Sequence, residues 1–316
     1  QVDELGRYEL LRTIFEGLPH SNPLSVKVGE DYVFLKDTLK TISYIKQNAL
    51  QPSELREILM ANQKFIEATS EELSSTFAPT ASPKLLPEYT AFLELVKKQV
   101  TGKTYFGFPE YATEAAGELA AAINETPADG RYAKPITAWK SRWCKKDSKG
   151  NYVYKDSGTG MRKMIAVADV YELLVKSMAE KGLYDFDDMV VEAVHAMEKD
   201  DELRFNLQER YQYILVDEFQ DTNKAQLRMM TALGDNPVNE QRPNIMAVGD
   251  DDQAIYAFQG AEVSNMVAFS RQYREPTLIT LEENFRSTST ILEVSQSVSS
   301  QIAERLETVV PNTHKE

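Results

Sequence analysis

Ile214-Leu215-Val216-Asp217-Glu218-Phe219-Gln220-Asp221-Thr222-Asn223 joins a short apolar run to a cluster of acidic and polar residues. Counted from Tyr213 the run has strand length, and it is followed by a polar turn and a helix-like stretch to Leu233. The same grammar recurs twice. Residues 244–248 end in Gly249-Asp250-Asp251-Asp252-Gln253, with a helix expected over 262–273. Residues 278–281 end in Glu282-Glu283-Asn284-Phe285-Arg286, followed by Ile291, Val294, Val298, Ile302 and Leu306 at helical spacing. Three apolar strands, each followed by a helix, describe an α/β fold with a parallel sheet, and ligands of such a sheet collect beyond the carboxyl ends of its strands.

All three runs carry their polar residues at that end. Acidic residues after one strand commonly serve a turn or a helix cap, whereas three such clusters on one sheet edge point to chemistry. Paired carboxylates suit a hard cation such as Mg²⁺, and a second carboxylate beside the metal ligand can orient or deprotonate a water. Gln253 suits that water or a phosphate oxygen, and Arg286 suits charge developing on a transferred phosphoryl group. Together they indicate nucleotide hydrolysis.

Upstream the chain reads mostly as helix. Ser53 after Pro52 offers capping chemistry ahead of Leu55, Ile58 and Leu59. Residues 70–87, rich in Ser, Thr and Glu with Pro79, Pro83 and Pro87, are expected as a loop or linker. Tyr89, Phe92, Leu93, Val96 and Val100 recur at helical spacing, and 124–163 reads as a Gly/Lys/Asn/Asp-rich stretch with strand-like pieces such as 151–154. Helical periodicity resumes at Val167, Val170, Leu173, Leu174 and Met178. After a turn at Gly182, Asp185 is the expected cap of a helix with face Phe186, Met189, Val190, Val194 and Met197.

With 316 residues, 42% of them hydrophobic and 27% charged, the chain is long enough for two domains and is not a disordered or disulfide-built sequence. No apolar run approaches the ~18 residues of a membrane span and no signal-type segment opens the chain, so a cytoplasmic protein without membrane contact is expected. Cys144, the single cysteine, has no disulfide partner and no matching His constellation, so it is expected to be structurally neutral; His20, His195 and His314 lack metal-ligand spacing. The net charge of −14 argues against indiscriminate polyanion binding. Yet residues 131–163 hold ten basic residues against Asp147 and Asp156, a local net charge of +8 that leaves −22 for the remainder. Both tryptophans, Trp139 and Trp143, lie in this basic stretch.

The 214–223 stretch, Val248-Gly249-Asp250-Asp251-Asp252-Gln253-Ala254-Ile255-Tyr256-Ala257-Phe258-Gln259-Gly260-Ala261 and Leu281-Glu282-Glu283-Asn284-Phe285-Arg286-Ser287-Thr288 closely resemble motifs II, III and IV of UvrD/Rep-type superfamily 1 DNA helicases. The resemblance covers residues from about 184 to 305. It implies part of a RecA-like P-loop NTPase sheet with a large, mainly helical insertion. Residues 1–183 would be the insertion subdomain of the first motor domain, and 184–316 the C-terminal half of that domain. By position, Asp217 would hold Mg²⁺, Glu218 would activate the attacking water, and Gln253 and Arg286 would meet the γ-phosphate of ATP. Phe285 would stack on adenine, and Tyr256 and Phe258 would face bases of single-stranded DNA, where one stacking partner contributes ~1–3 kcal/mol.

Departures from the family pattern are Phe258 where tryptophan is common, Gln259 where arginine is, and Phe285 where tyrosine is. The aromatic exchanges keep stacking, whereas Gln259 removes a positive charge. The family's insertion approaches duplex DNA, which gives Lys145, Lys146 and their basic neighbours phosphates to meet and Trp139 and Trp143 bases to stack on; a solvated charged loop with two structural tryptophans is the alternative.

A P-loop requires Gly-x-x-x-x-Gly-Lys-Ser/Thr after a strand. Gly102-Lys103-Thr104 has Lys97 in place of the first glycine and follows a helical pattern, so it is expected not to serve as one. With Gln1 in place of an initiator methionine, these features lead to the expectation of an internal fragment of an ATP-dependent helicase, inactive alone and completed by the remaining motor-domain segments. A non-catalytic DNA-binding or regulatory module on the same scaffold remains a second reading, and a metal-dependent nuclease or phosphatase using residues 250–252 a third.

Overall fold

The computed structural model describes residues 2–106, 108–127, 133–239, 242–254, 276–281 and 283–301, together with 265, 266, 269 and 273. The chain divides into two units, one of Val2–Leu39 with Leu50–Leu183, the other of Lys40–Ala49 with the chain from Tyr184 onward.

The first unit is largely helical. Helix α1 (Glu4–Glu16) starts at Asp3, whose carboxylate accepts from the Gly6 N–H at 2.8 Å. The short hairpin β1 (Lys27–Val28) and β2 (Asp31–Tyr32) precedes α2 (Leu35–Gln47), whose second half belongs to the other unit. Then come α3 (Pro52–Phe77), α4 (Leu86–Lys97), the hairpin β3 (Thr104–Tyr105) and β4 (Phe108–Pro109), and α5 (Tyr111–Asn124). Helix α6 (Lys134–Trp143), the antiparallel pair β5 (Cys144–Lys146) and β6 (Tyr152–Tyr154), and α7 (Thr159–Glu180) complete it.

Three local expectations are corrected here. The cap of α3 is Gln51 rather than Ser53, with Pro52 at the first helical position and the Gln51 N–H donating to Glu54 Oε2 at 2.7 Å. Residues 70–77 are not a linker. They continue α3, because Leu73 and Phe77 bury on its core face and the first proline comes only at 79. Inside this helix Thr69 and Ser70 donate their hydroxyls to carbonyls four residues back, at 2.9 and 2.5 Å. Within 124–163, α6 forms around Ile136, Trp139 and Trp143, whose three- and four-residue spacing places them on one buried face.

The second unit carries α8 (Phe186–Lys199), α9 (Asp201–Arg210), β7 (Ile214–Val216), α10 (Lys224–Gly234), β8 (Ile245–Ala247) and α11 (Ser289–Ser299). Asp185 caps α8 by accepting from the Asp188 N–H at 2.8 Å, and Asp188 accepts in return from the Asp185 N–H at 3.0 Å. Residues 40–49 belong here because Lys46 is buried between these two carboxylates and Ala49 packs on Val194 and Ala225.

Strands β7 and β8 pair in parallel, Ile214 opposite Ile245 and Val216 opposite Ala247, with α10 as the crossover. The expected third strand is not formed among the described residues. Residues 278–281 carry no strand pairing, and Leu278, Ile279 and Leu281 are 49, 77 and 82% exposed. An apolar run becomes a strand only where a neighbour takes its N–H and C=O groups, and here the sheet among the described residues has two strands of three residues. The helix expected over 262–273 lies mostly outside the described residues.

Candidate nucleotide site and nucleic-acid interface

The parallel pairing of β7 and β8 puts their carboxyl ends side by side, and the ladder continues beyond both strands. Val248 N–H donates to Val216 O at 2.8 Å, and Phe219 N–H donates to Val248 O at 2.9 Å. Between these bonds lie Asp217 and Glu218, both exposed. Glu218 adopts a left-handed backbone conformation, φ 49° and ψ 44°, as the chain leaves β7 for a single 3-10 turn over Phe219–Asp221. Asp217 Oδ1 accepts from the Glu218 N–H at 3.0 Å and holds that bend.

Gln220 is 1% exposed and spans the two strand tips. Its Nε2 donates to Glu218 Oε2 at 2.6 Å, while its Oε1 accepts from the Asp250 N–H at 3.1 Å. The approach requires Gly249. A Cβ there would stand 2.8 Å from Gln220 Oε1 and 3.2 Å from the Gln220 backbone nitrogen. Sequence reasoning passed over Gln220; a signal was available in the bare glycine at the tip of the second apolar run.

Asp250, Asp251 and Asp252 are not three equivalent carboxylates. Asp250 caps the turn over Asp251–Gln253, accepting from the Asp252 N–H at 3.2 Å and from Gln253 Nε2 at 2.9 Å, and Asp251 is buried. Gln253 itself is exposed beside the β8 tip. Among the described residues no group of three or more His, Cys, Asp or Glu side chains forms a metal cage. The oxygen donors at the β7 tip, Asp217 and Glu218, have the hardness and small number that suit Mg²⁺, which completes its shell with waters and phosphate oxygens.

Arg286 and Phe285 are not brought into this cluster. They sit on an exposed turn in which Asn284 Oδ1 accepts from the Arg286 and Ser287 N–H groups at 3.0 and 2.8 Å, and the Phe285 ring is 91% exposed. No hydrogen bond or ion pair joins Arg286 to Asp217, Glu218 or Gln253 among the described residues. Tyr256, Phe258 and Gln259 lie outside the described residues.

In the first unit, the exposed cations of the basic stretch gather on and around the β5–β6 hairpin. Lys145, Lys146 and Lys149 are exposed, Lys145 Nζ donates to Lys155 O, and Lys146 Nζ lies 5.3 Å from the Tyr152 ring centroid. The tryptophans do not share that exposure, and the expectation of base stacking at Trp139 and Trp143 is corrected by their 3 and 4% accessibility. Trp139 stacks on Phe77 with centroids 4.9 Å apart and donates its indole N–H to Ala115 O at 3.1 Å. Trp143 meets the Tyr111 ring edge at 4.7 Å and donates to Glu118 Oε2 at 2.8 Å. Both indoles spend their area and their donors on the aromatic core under the hairpin. Lys140 is buried as well, its ammonium donating to Phe77 O at 2.6 Å.

Burial also sets the titration of this core. It pushes the Cys144 thiol up to about 12, against the favourable charges of Lys140 and Lys155. It likewise raises the phenols of Tyr111, reinforced by the Asp156 carboxylate at 2.8 Å, and of Tyr154.

Gly102-Lys103-Thr104 has neither the strand before it nor the helix after it that a phosphate loop needs: it follows α4 and runs into β3, whose first residue is Thr104. The neighbouring Thr101 N–H and hydroxyl donate to the Glu110 carboxylate at 2.8 and 3.0 Å, so the protein's own anion occupies these donors.

Residues 25–274 match the family described as the UvrD/REP helicase N-terminal domain. Over 139 residues the chain is 37% identical to the ATP-dependent DNA helicase PcrA of Staphylococcus aureus (strain Mu50), and equally to PcrA of Staphylococcus epidermidis (strain RP62A). Each alignment covers 44% of this chain and 18% of the relative, so the matched part is less than a fifth of those proteins' length. The family match reaches well upstream of the motif-bearing strands and takes in most of both units. The chain therefore belongs to the UvrD/REP helicase N-terminal domain family, with the RecA-like P-loop NTPase fold that this family implies.

Proposed function

We propose that this chain is part of an ATP-dependent DNA helicase and that the β7 and β8 tips contribute to its ATPase site. The observation that carries the reading is the pairing of two exposed carboxylates at the end of β7 with an amide, Gln253, at the end of the adjacent parallel strand, in a chain of this family. Asp217 is the magnesium carboxylate, and Mg²⁺ bound there supplies charge neutralisation at the phosphate oxygens of ATP. Glu218, turned out by its left-handed backbone, orients the attacking water and takes its proton as the γ-phosphate is released from ADP. Gln253 reports the γ-phosphate to the segment that follows it, where Tyr256 and Phe258 face single-stranded DNA. By the family resemblance Arg286 would meet the γ-phosphate and Phe285 the adenine, and both side chains stand exposed on their turn.

Turnover then drives translocation along one strand and unwinding of the duplex. The exposed lysines of the β5–β6 hairpin meet the phosphates of the duplex ahead. Since the 316 residues contain no Gly-x-x-x-x-Gly-Lys-Ser/Thr, the chain by itself is expected to hydrolyse essentially no ATP.

The test is Glu218→Gln in the full-length protein encoded by the gene. Turnover should fall below detection while nucleotide binding, followed with a fluorescent ATP analogue, persists; retained turnover would remove Glu218 from the water-activating role.

A further inference from the structure

We infer that Gln220 is a positioning residue for this reaction, locking the water-activating carboxylate of one strand tip to the backbone of the next. The inference rests on the proposed role of Glu218. Gln220 is almost wholly buried, yet both ends of its amide are used: Nε2 donates to Glu218 Oε2, two residues back, at 2.6 Å, and Oε1 accepts from the Asp250 N–H, 30 positions on, at 3.1 Å.

A buried amide must find partners for both of its ends, and here the partners are the proposed water-activating carboxylate and the backbone of the neighbouring strand tip. The close approach of the two strand tips at this amide depends on glycine at 249, where a Cβ would stand 2.8 Å from Gln220 Oε1 and 3.3 Å from the Cβ of the buried Phe219.

The consequence is mechanical. An exposed glutamate on a left-handed bend has several rotamers open to it, and a hydrogen bond from a buried amide selects one. Because the same amide holds the Asp250 N–H, any shift of the 250–253 turn is passed to the Glu218 carboxylate through a single rigid group. Gln253, held by Asp250 Oδ2 at 2.9 Å, sits on that turn. Movement at the amide that senses phosphate is thus coupled to the group that activates water.

The experiment compares Gln220→Glu, Gln220→Met and Glu218→Gln in the full-length protein. A glutamate at 220 keeps an acceptor for the Asp250 N–H but replaces the donor to Glu218 by a like charge; methionine removes both bonds at similar volume. Both should lower kcat by about 10- to 100-fold with KM for ATP changed by less than about threefold. Hydrogen exchange at the Asp250 amide should be slow in the unmodified protein and in Gln220→Glu, and fast in Gln220→Met.

An unprotected Asp250 amide in the unmodified protein overturns the inference without recourse to any variant. So does a kcat within about threefold of the unmodified protein in Gln220→Glu or Gln220→Met, or a loss confined to KM. If Glu218→Gln is inactive while Gln220→Glu is fully active, only the role of Gln220 falls. If Glu218→Gln retains turnover, the underlying reading falls with it.

Discussion

Lys46 is 1% exposed, and its ammonium lies 2.8 Å from Asp185 and 2.6 Å from Asp188, the two residues that cap α8 on each other's backbone. Two carboxylates drawn in at a helix start are tolerated because the cation neutralises them and the first N–H groups of the helix share the load. Removing the cation leaves both anions in place, so Lys46→Met should cost about 3–5 kcal/mol, read as a lower urea midpoint. None of this was legible in sequence beyond the capping role of Asp185, since 139 residues separate the lysine from its partner. The proposed site residues were legible for the opposite reason. Asp217 and Glu218 stand immediately beyond one apolar run, and Gln253 lies in the polar tip that follows the next, where the local pattern announces a strand end.

At the level of elements, the β5–β6 hairpin shows how composition misleads about burial. Trp139 and Trp143 stand among lysines and arginines, so an unfolded reading gives them the same solvent and the same partners as the charges around them. Helical spacing in α6 then divides them. Ile136, Trp139 and Trp143 turn inward to Phe77 and Tyr111, while Lys145, Lys146 and Lys149 remain outside on the hairpin. The hairpin lysines are therefore expected to bind nucleic acid by charge rather than by stacking. Replacing Lys145, Lys146 and Lys149 by alanine should weaken duplex binding and flatten the dependence of log K on log salt by up to ~0.9 for each phosphate that is no longer neutralised. Fluorescence anisotropy at a series of salt concentrations reads both, and an unchanged slope would show that the hairpin meets no phosphate.

Over the first unit as a whole, three weak acids share the aromatic core, Cys144 and Tyr154 buried and Tyr111 half-buried. Cys144, ordinarily near 9.0, is held protonated to about 12, and the Tyr111 and Tyr154 phenols are raised as well. Above pH 9 the unfolded chain releases the thiol proton that the folded chain retains, so the unfolded state binds fewer protons and stability falls as pH rises toward 12. The thiol alone sets a limit of about 1.4 kcal/mol per pH unit in that window, and the phenols add to it from about pH 10 upward. Thermal unfolding followed by tryptophan fluorescence should show little change from about pH 7 to 8.5 and a progressive loss above that. A thiol this buried should also resist alkylation until the unit unfolds.

The chain could be read before it folds for the alternation of apolar run and polar tip, the residues standing at those tips, and the family to which they belong. Folding settled what depends on distance along the chain. It joined Gln220 to Asp250 and Lys46 to Asp185, buried both tryptophans, kept 70–77 in α3 and, among the described residues, left 278–281 without a partner strand. The physical reason is common to all of them. A residue's chemistry and its helical or extended period are carried by its neighbours in sequence, whereas its burial and its hydrogen-bond partner are set by segments that only the tertiary structure brings near.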